Sequence, residues 1–173
     1  MPKIEDNIEH IISPETAYQM ISMLEGVVQR GTGRKLKHLN LNLAGKTGTT
    51  NNNTDTWFIG FTSKLVVGIY VGFDEPASLG RYETGGKTAM PIFKKFILNS
   101  ISKQDATPFK VPDGIIMMVV DPVTGQKVDF NSKNSIYESF KEKKISEIDI
   151  ENNYNDSIFS NSNAGIKEVT KFY

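Results

Sequence analysis

Apolar residues recur with two different periods up to about residue 125, and each change of period marks a new element. Ala17, Met20, Ile21, Leu24, Val27 and Val28 repeat at three- and four-residue steps, which predicts a helix over residues 14–30 with one apolar stripe. Its ends are marked. Ser13 is a capping residue, Pro14 suits the first turn, and Glu15 sits at the positive end of the dipole. Arg30 falls in the last turn and Gly31 is a natural stop. The bland meaning of this stripe is a core helix. Leu41 and Leu43 then alternate with polar neighbours, which opens a strand over residues 41–50. TWFIGFT at 56–62 and LVVGIYVGF at 65–73 are rich in aromatic and β-branched residues. The short Ser63-Lys64 link predicts a hairpin between them. Trp57 and Phe58 are assigned to the core.

Residues 85–98 return to the helical period. Pro91 falls in the first turn, and Met90, Phe93, Phe96 and Ile97 are placed on the buried side. IIMMVV at 115–120 is one more strand, and DPVTG at 121–125 is a turn by its Asp, Pro and Gly content. Past residue 126 the pattern fades. Asn, Ser and Lys supply 21 of the last 48 residues. Residues 1–125 are therefore taken as the folded portion and 126–173 as a polar, weakly ordered tail. Within that tail, Ile136, Phe140 and Ile148 suggest one marginal helix over Ser135–Glu147.

Composition removes several function classes. The 20 Lys and Arg balance 20 Asp and Glu, so the electrostatic footprint of a general nucleic-acid binder is missing. There is no Cys, hence no disulfide, thiolate metal site or Cys nucleophile. His10 and His38 form no metal-binding pattern, and no metal or cofactor is expected. No run of 18 apolar residues predicts a membrane span, and the polar start shows no signal-peptide core.

The informative stretch is Ala44-Gly45-Lys46-Thr47-Gly48-Thr49-Thr50. Two chemistries use such a core. A phosphate-binding loop needs an earlier glycine, where Asn40 stands, and a helix directly after, where Gly48-Thr49-Thr50-Asn51 is a poor start. Nucleotide binding through Gly45-Lys46-Thr47 is the weaker alternative. The other use is the K-T-G strand of serine penicillin-recognising enzymes. An edge strand can pair with an extended peptide, and Lys46 adds charge beside hydroxyls that bind a carboxylate. Gly48 removes side-chain bulk where ligand backbone approaches. A backbone N–H just beyond it can steady an oxyanion.

A lone KTG is weak, but its surroundings repeat a longer pattern. SPETAY (13–18), GVVQRGTG (26–33), AGKTGTTN (44–51), DTWFIGFT (55–62), YVGFD (70–74) and TGGKTAMPIF (84–93) occur in that order. This resembles the C-terminal part of the transpeptidase domain of class A, bifunctional penicillin-binding proteins, over about residues 11–100, with a looser echo at 108–125. The resemblance implies an α+β fold, an antiparallel sheet with flanking helices, as in serine β-lactamases, beside a mostly helical lobe. It implies peptidoglycan cross-linking on the periplasmic face of the cytoplasmic membrane. There a Ser of S-x-x-K attacks the penultimate D-Ala carbonyl of a stem peptide and releases the terminal D-Ala. By resemblance, Lys46 and Thr47 hold substrate and orient the S-x-N hydroxyl. Gly48 admits the ligand, and Thr49 offers an oxyanion-hole N–H and a hydroxyl. The implied ligands are a stem peptide or a β-lactam.

In the family, S-x-x-K and S-x-N precede K-T-G, and neither does so here. Ser100-Ile101-Ser102-Lys103 and Ser132-Lys133-Asn134 match only downstream, at a frequency that 13 Ser and 14 Asn explain by chance. Ser100 trails a helix, whereas a nucleophile is expected to open one. The expectation is a substrate-binding portion without its acylating partner, inactive alone, whose further partner is the missing N-terminal half of the domain. A rival from another class is a non-catalytic module that binds peptide or partner protein along the exposed strand. Gly85-Gly86 is expected to shape the turn into the second helix, near the cleft, with Arg81 and Lys87 adding charge. Asp55 is assigned as a strand-start cap. If part of the sheet comes from elsewhere, the strand at 65–73 shows an open apolar edge.

Overall fold

The computed structural model describes residues 9–102 and 106–142. The polar start over residues 1–8, Lys103 and the tail from residue 143 onward lie outside the described residues, as does the far end of the segment expected as a helix over 135–147.

Helix α1 spans Pro14–Gln29. The Ser13 hydroxyl accepts the Thr16 N–H at 3.3 Å, and the Arg30 N–H closes the far end on the Gly26 carbonyl at 2.9 Å. The helix buries Tyr18, Gly26 and Val28, whereas Met20 is 50% exposed. The expected stripe is thus only partly covered, because α1 packs along one line against the first strand and one end of a second sheet. A short 3-10 segment over Arg34–Leu39 follows and drives Leu36 into the core.

Strands β1 (Ala44–Thr49), β2 (Asp55–Phe61) and β3 (Val66–Gly72) form an antiparallel meander in that order. Leu41 and Leu43 precede β1 instead of belonging to it, yet Leu43 is fully buried. The Ser63-Lys64 hairpin is present, with the Thr62 N–H on the Leu65 carbonyl at 2.9 Å. Because β1 and β3 each pair on one side only, both outer edges are open among the described residues. On β3, Val66 and Tyr70 are exposed.

Pairing of Trp57 with Tyr70 and of Phe58 with Ile69 sorts these two neighbouring aromatic residues of β2 onto opposite faces. Phe58 is fully buried, and Trp57 is 42% exposed, which corrects its assignment to the core. Helix α2 spans Ala89–Ser100 and covers the Phe58 face with Ala89, Met90, Phe93 and Ile97. Pro91 sits in its first turn, where a missing N–H costs nothing. Phe96 is 42% exposed, since it falls beside the line of Met90, Phe93 and Ile97, which corrects its placement on the buried side.

Strand β4 (Ile115–Val120) pairs antiparallel with β5 (Ile136–Lys141). The helix expected over Ser135–Glu147 is therefore a strand across its described part. Ile136 and Phe140 share a face in either period, and pairing with β4 decides between them. An ion pair between Arg30 and Glu138, and a bond from the Gln19 amide to the Ser139 carbonyl at 3.2 Å, tie β5 to α1.

Candidate functional site

Strand alternation splits the K-T-G segment between two faces. Lys46 stands opposite Ile59 on the same exposed face as Trp57 and Tyr70. Its Nζ donates to the carbonyl of Thr47 at 2.9 Å. Thr47 and Thr49 turn the other way, into a cleft of about 490 Å³. Gly48 lies opposite Trp57, and a Cβ there would sit 3.3 Å from the Trp57 Cβ. The strand therefore brings Thr47 and Thr49 together in one recess, with the ammonium of Lys46 on its other side.

The remaining walls of the cleft come from distant segments. Thr32 and Lys35 enter from the chain after α1, and Thr84, Gly86, Lys87 and Met90 from the approach to α2. Thr32 and Thr47 share a hydroxyl hydrogen bond at 3.0 Å. The Gly85 N–H donates to the Thr49 hydroxyl at 3.2 Å, which leaves the Thr49 O–H able to donate in turn. Four hydroxyls and two lysines around one recess suit an anionic ligand such as a carboxylate. Lys87 shares its charge with Glu83, 2.7 Å away. Arg81 does not line the cleft, and its guanidinium lies over the Tyr82 ring.

Asn53 positions one wall and carries no motif in the sequence. It sits in left-handed backbone in the β1–β2 turn. Its amide donates to the carbonyls of Gly80, Arg81 and Glu83 at 2.9–3.2 Å, and its own carbonyl accepts the Leu79 N–H. One side chain thus pins the long connection that becomes the far wall.

Asp55 opens β2 outside the cleft. Its carboxylate accepts Tyr70 O–H at 2.6 Å and Thr54 O–H at 2.8 Å, with Thr50 further off at 3.3 Å. The Tyr70 bond first, then Thr54, holds the carboxyl below the usual carboxylate range, and the same bond pushes the Tyr70 phenol up. A lowered folded value means that the stabilising contribution is present above the unfolded value and disappears as pH falls through the folded one. Tyr70→Phe removes the largest cause. Carboxyl NMR titration is expected to show Asp55 moving up, with a smaller loss of stability on acidification. An unmoved Asp55 titration would mean that the bond does not form in solution.

Neither serine of the two downstream matches lines the cleft. Ser100 ends α2, ten residues beyond Met90, or about 15 Å along the helix axis. Ser132 lies in the connection between β4 and β5. Gly45-Lys46-Thr47 is extended strand and not a loop that opens a helix, so it lacks the shape of a phosphate cradle. Among the described residues no group of three His, Asp or Glu side chains is placed to hold a metal.

The family described as penicillin binding protein transpeptidase domain matches residues 5–98, which include the cleft. Penicillin-binding protein 1A of Rickettsia bellii is 44% identical over 160 residues, 89% of this chain and 20% of that protein. The Pseudomonas aeruginosa protein of the same name is 42% identical over 134 residues, 77% of this chain and 16% of that protein. A crystal structure of Penicillin-Binding Protein 1A from Haemophilus influenzae superposes with a TM-score of 0.64 at 30% identity, over 78% of this chain and 22% of that one. The chain spans about a fifth of the length of these relatives. With helices set around an antiparallel sheet, a family match over residues 5–98 and these relatives, the chain belongs to the penicillin-binding protein transpeptidase family.

Proposed function

We propose that this chain carries the substrate-binding strand of a D,D-transpeptidase and holds the carboxylate end of a D-alanyl-D-alanine stem peptide, or of a β-lactam, without acylating it. The observation that supports this most is the pair of hydroxyls, Thr47 and Thr49, projected from an edge strand into a cleft that faces Thr32 and Thr84. The peptide lies beside β1 as an added strand, with its carboxylate on the hydroxyls. Gly48 leaves room for the peptide backbone, and the Thr49 N–H stands where an oxyanion would develop. Lys46 presents its charge on the opposite face, toward the rest of a complete domain. The nucleophile and its proton acceptor come from that further part of the domain, which is also the partner we assign. The whole site works on the outer face of the cytoplasmic membrane. No helix among the described residues is long and apolar enough to cross a membrane.

Intact mass after incubation with a reactive penicillin tests the chemistry. The folded chain is expected to show no adduct, since strand donors without a nucleophile do not carry acyl transfer at a useful rate. In parallel, it is expected to bind D-alanyl-D-alanine peptides reversibly, with about tenfold loss in Thr47→Val, the cost of one unmade bond to a charged group. An adduct of one drug mass that disappears in Ser100→Ala would overturn the proposal.

A further inference from the structure

The cleft does not end at the carboxylate-binding hydroxyls. Past Lys35 and Met90, which line both spaces, it opens into a second recess of about 220 Å³ between the 3-10 segment and α2. Its other walls are Leu36, His38, Pro91 and Lys94. Every ionisable group there is basic, and none of the three makes an ion pair among the described residues. In a chain of zero net charge this is a local excess of basic groups without an acidic partner among the described residues. Backbone donors add little. The Met90 N–H is already given to the Gly85 carbonyl at 2.8 Å, and Pro91 has none. An anion in this recess is therefore met by side chains, with the apolar walls of Leu36, Met90 and Pro91 beside it. Fields from neighbouring basic groups add, which raises the local concentration of an anionic ligand at low salt.

We propose that the second recess binds a second carboxylate of the same peptide, so that the ligand is recognised at two anionic points, the terminal carboxylate on Thr47 and Thr49 and an acidic group further along the peptide on Lys35, His38 and Lys94. This rests on the peptide-binding role of the cleft. The recess acts as a selectivity element. Neutral peptides bind through the hydroxyl end alone, and acidic ones bind through both.

The test compares peptides that end in D-alanyl-D-alanine and carry a glutamate one, two or three residues upstream with the same peptides carrying glutamine. Binding to the full chain is read by calorimetry. The best-placed glutamate peptide is expected to bind about threefold tighter than its glutamine twin at low salt, the scale of one or two partly exposed charge pairs. That preference is expected to vanish at about 1 M salt, where the screening length is about 3 Å. His38→Gln with Lys94→Gln should erase the preference and leave the glutamine peptides unaffected, and Lys94→Arg should keep it. Equal binding of glutamate and glutamine peptides, still lost in Thr47→Val, would overturn the second subsite and leave the strand-binding role standing. No binding of either peptide would overturn both.

Discussion

Phe93→Ala is expected to remove about 3–5 kcal/mol of folding free energy, the range for an aromatic side chain deleted from a closed core. Phe93 is fully buried at the centre of the cluster formed by Val28, Leu36, Leu43, Phe58, Met90 and Ile97. Its ring meets Phe58 at a centroid distance of 4.8 Å and a tilt of 57°, an arrangement that adds to the area term. It is also the place where the second helix grips the sheet. The surrounding backbone has little freedom to collapse into the gap, because Phe93 fills space that Gly60 leaves open. A Cβ on Gly60 would stand 2.5 Å from the Phe93 ring and 2.7 Å from Phe58. With total stabilities of about 5–15 kcal/mol for a domain, the loss is a large share. With a denaturant slope of about 2 kcal/mol/M, the urea midpoint should fall by about 1.5–2.5 M. Phe96→Ala is the internal comparison. It removes the same ring three residues away, but from a side chain that is 42% exposed, and should cost about 1 kcal/mol. Equal midpoint shifts for the two would show that α2 does not present the Phe93 face to the sheet.

The same contrast shows what the sequence could tell. The capped helix at Ser13, the Ser63-Lys64 hairpin and the Pro91 helix start were legible, because each depends on residues within a turn of one another. The exposed positions were not. Trp57 and Phe58 are both apolar, and a near-continuous apolar strand carries no alternation that says which face meets a helix. The segment Ile136–Lys141 misled for a related reason, since apolar residues four apart share a face in a helix and in a strand alike. At the site, the Lys46–Thr49 strand announced itself as a local motif, whereas the opposite wall did not. Thr32, Lys35 and Thr84 join it only through tertiary packing. Asn53 looks like one of three turn asparagines, yet its amide anchors a connection some thirty residues away.

Gly85→Ala is expected to damage both the fold and the cleft, and its neighbour Gly86→Ala is expected to do neither. Gly85 lies flat on the β1–β2 ladder. A Cβ at this position would overlap the carbonyl oxygen of Trp57 and stand 2.6 Å from that of Gly48. Both are backbone atoms of residues paired across the ladder, so neither can swing aside as a flexible side chain would. The loop must therefore lift. Lifting breaks the bond from the Gly85 N–H to the Thr49 hydroxyl and strains the one from the Met90 N–H to the Gly85 carbonyl. Overpacking of about 1–3 kcal/mol and one broken bond of about 0.5–1.5 kcal/mol give a destabilisation of about 1.5–4.5 kcal/mol. The lift also carries Thr84, Gly86 and Lys87 away from Thr47 and Thr49, so peptide binding should fall by more than the tenfold expected for Thr47→Val. At Gly86 the nearest atoms to an added Cβ are the Thr32 carbonyl oxygen and the Thr47 Cγ2, both at 3.7 Å, which is ordinary contact. Gly86→Ala should then shift the urea midpoint little and retain binding. If the two adjacent substitutions behave alike, residue 85 is not pressed against the ladder. The far wall of the cleft would then lie elsewhere than over Gly48 and Trp57.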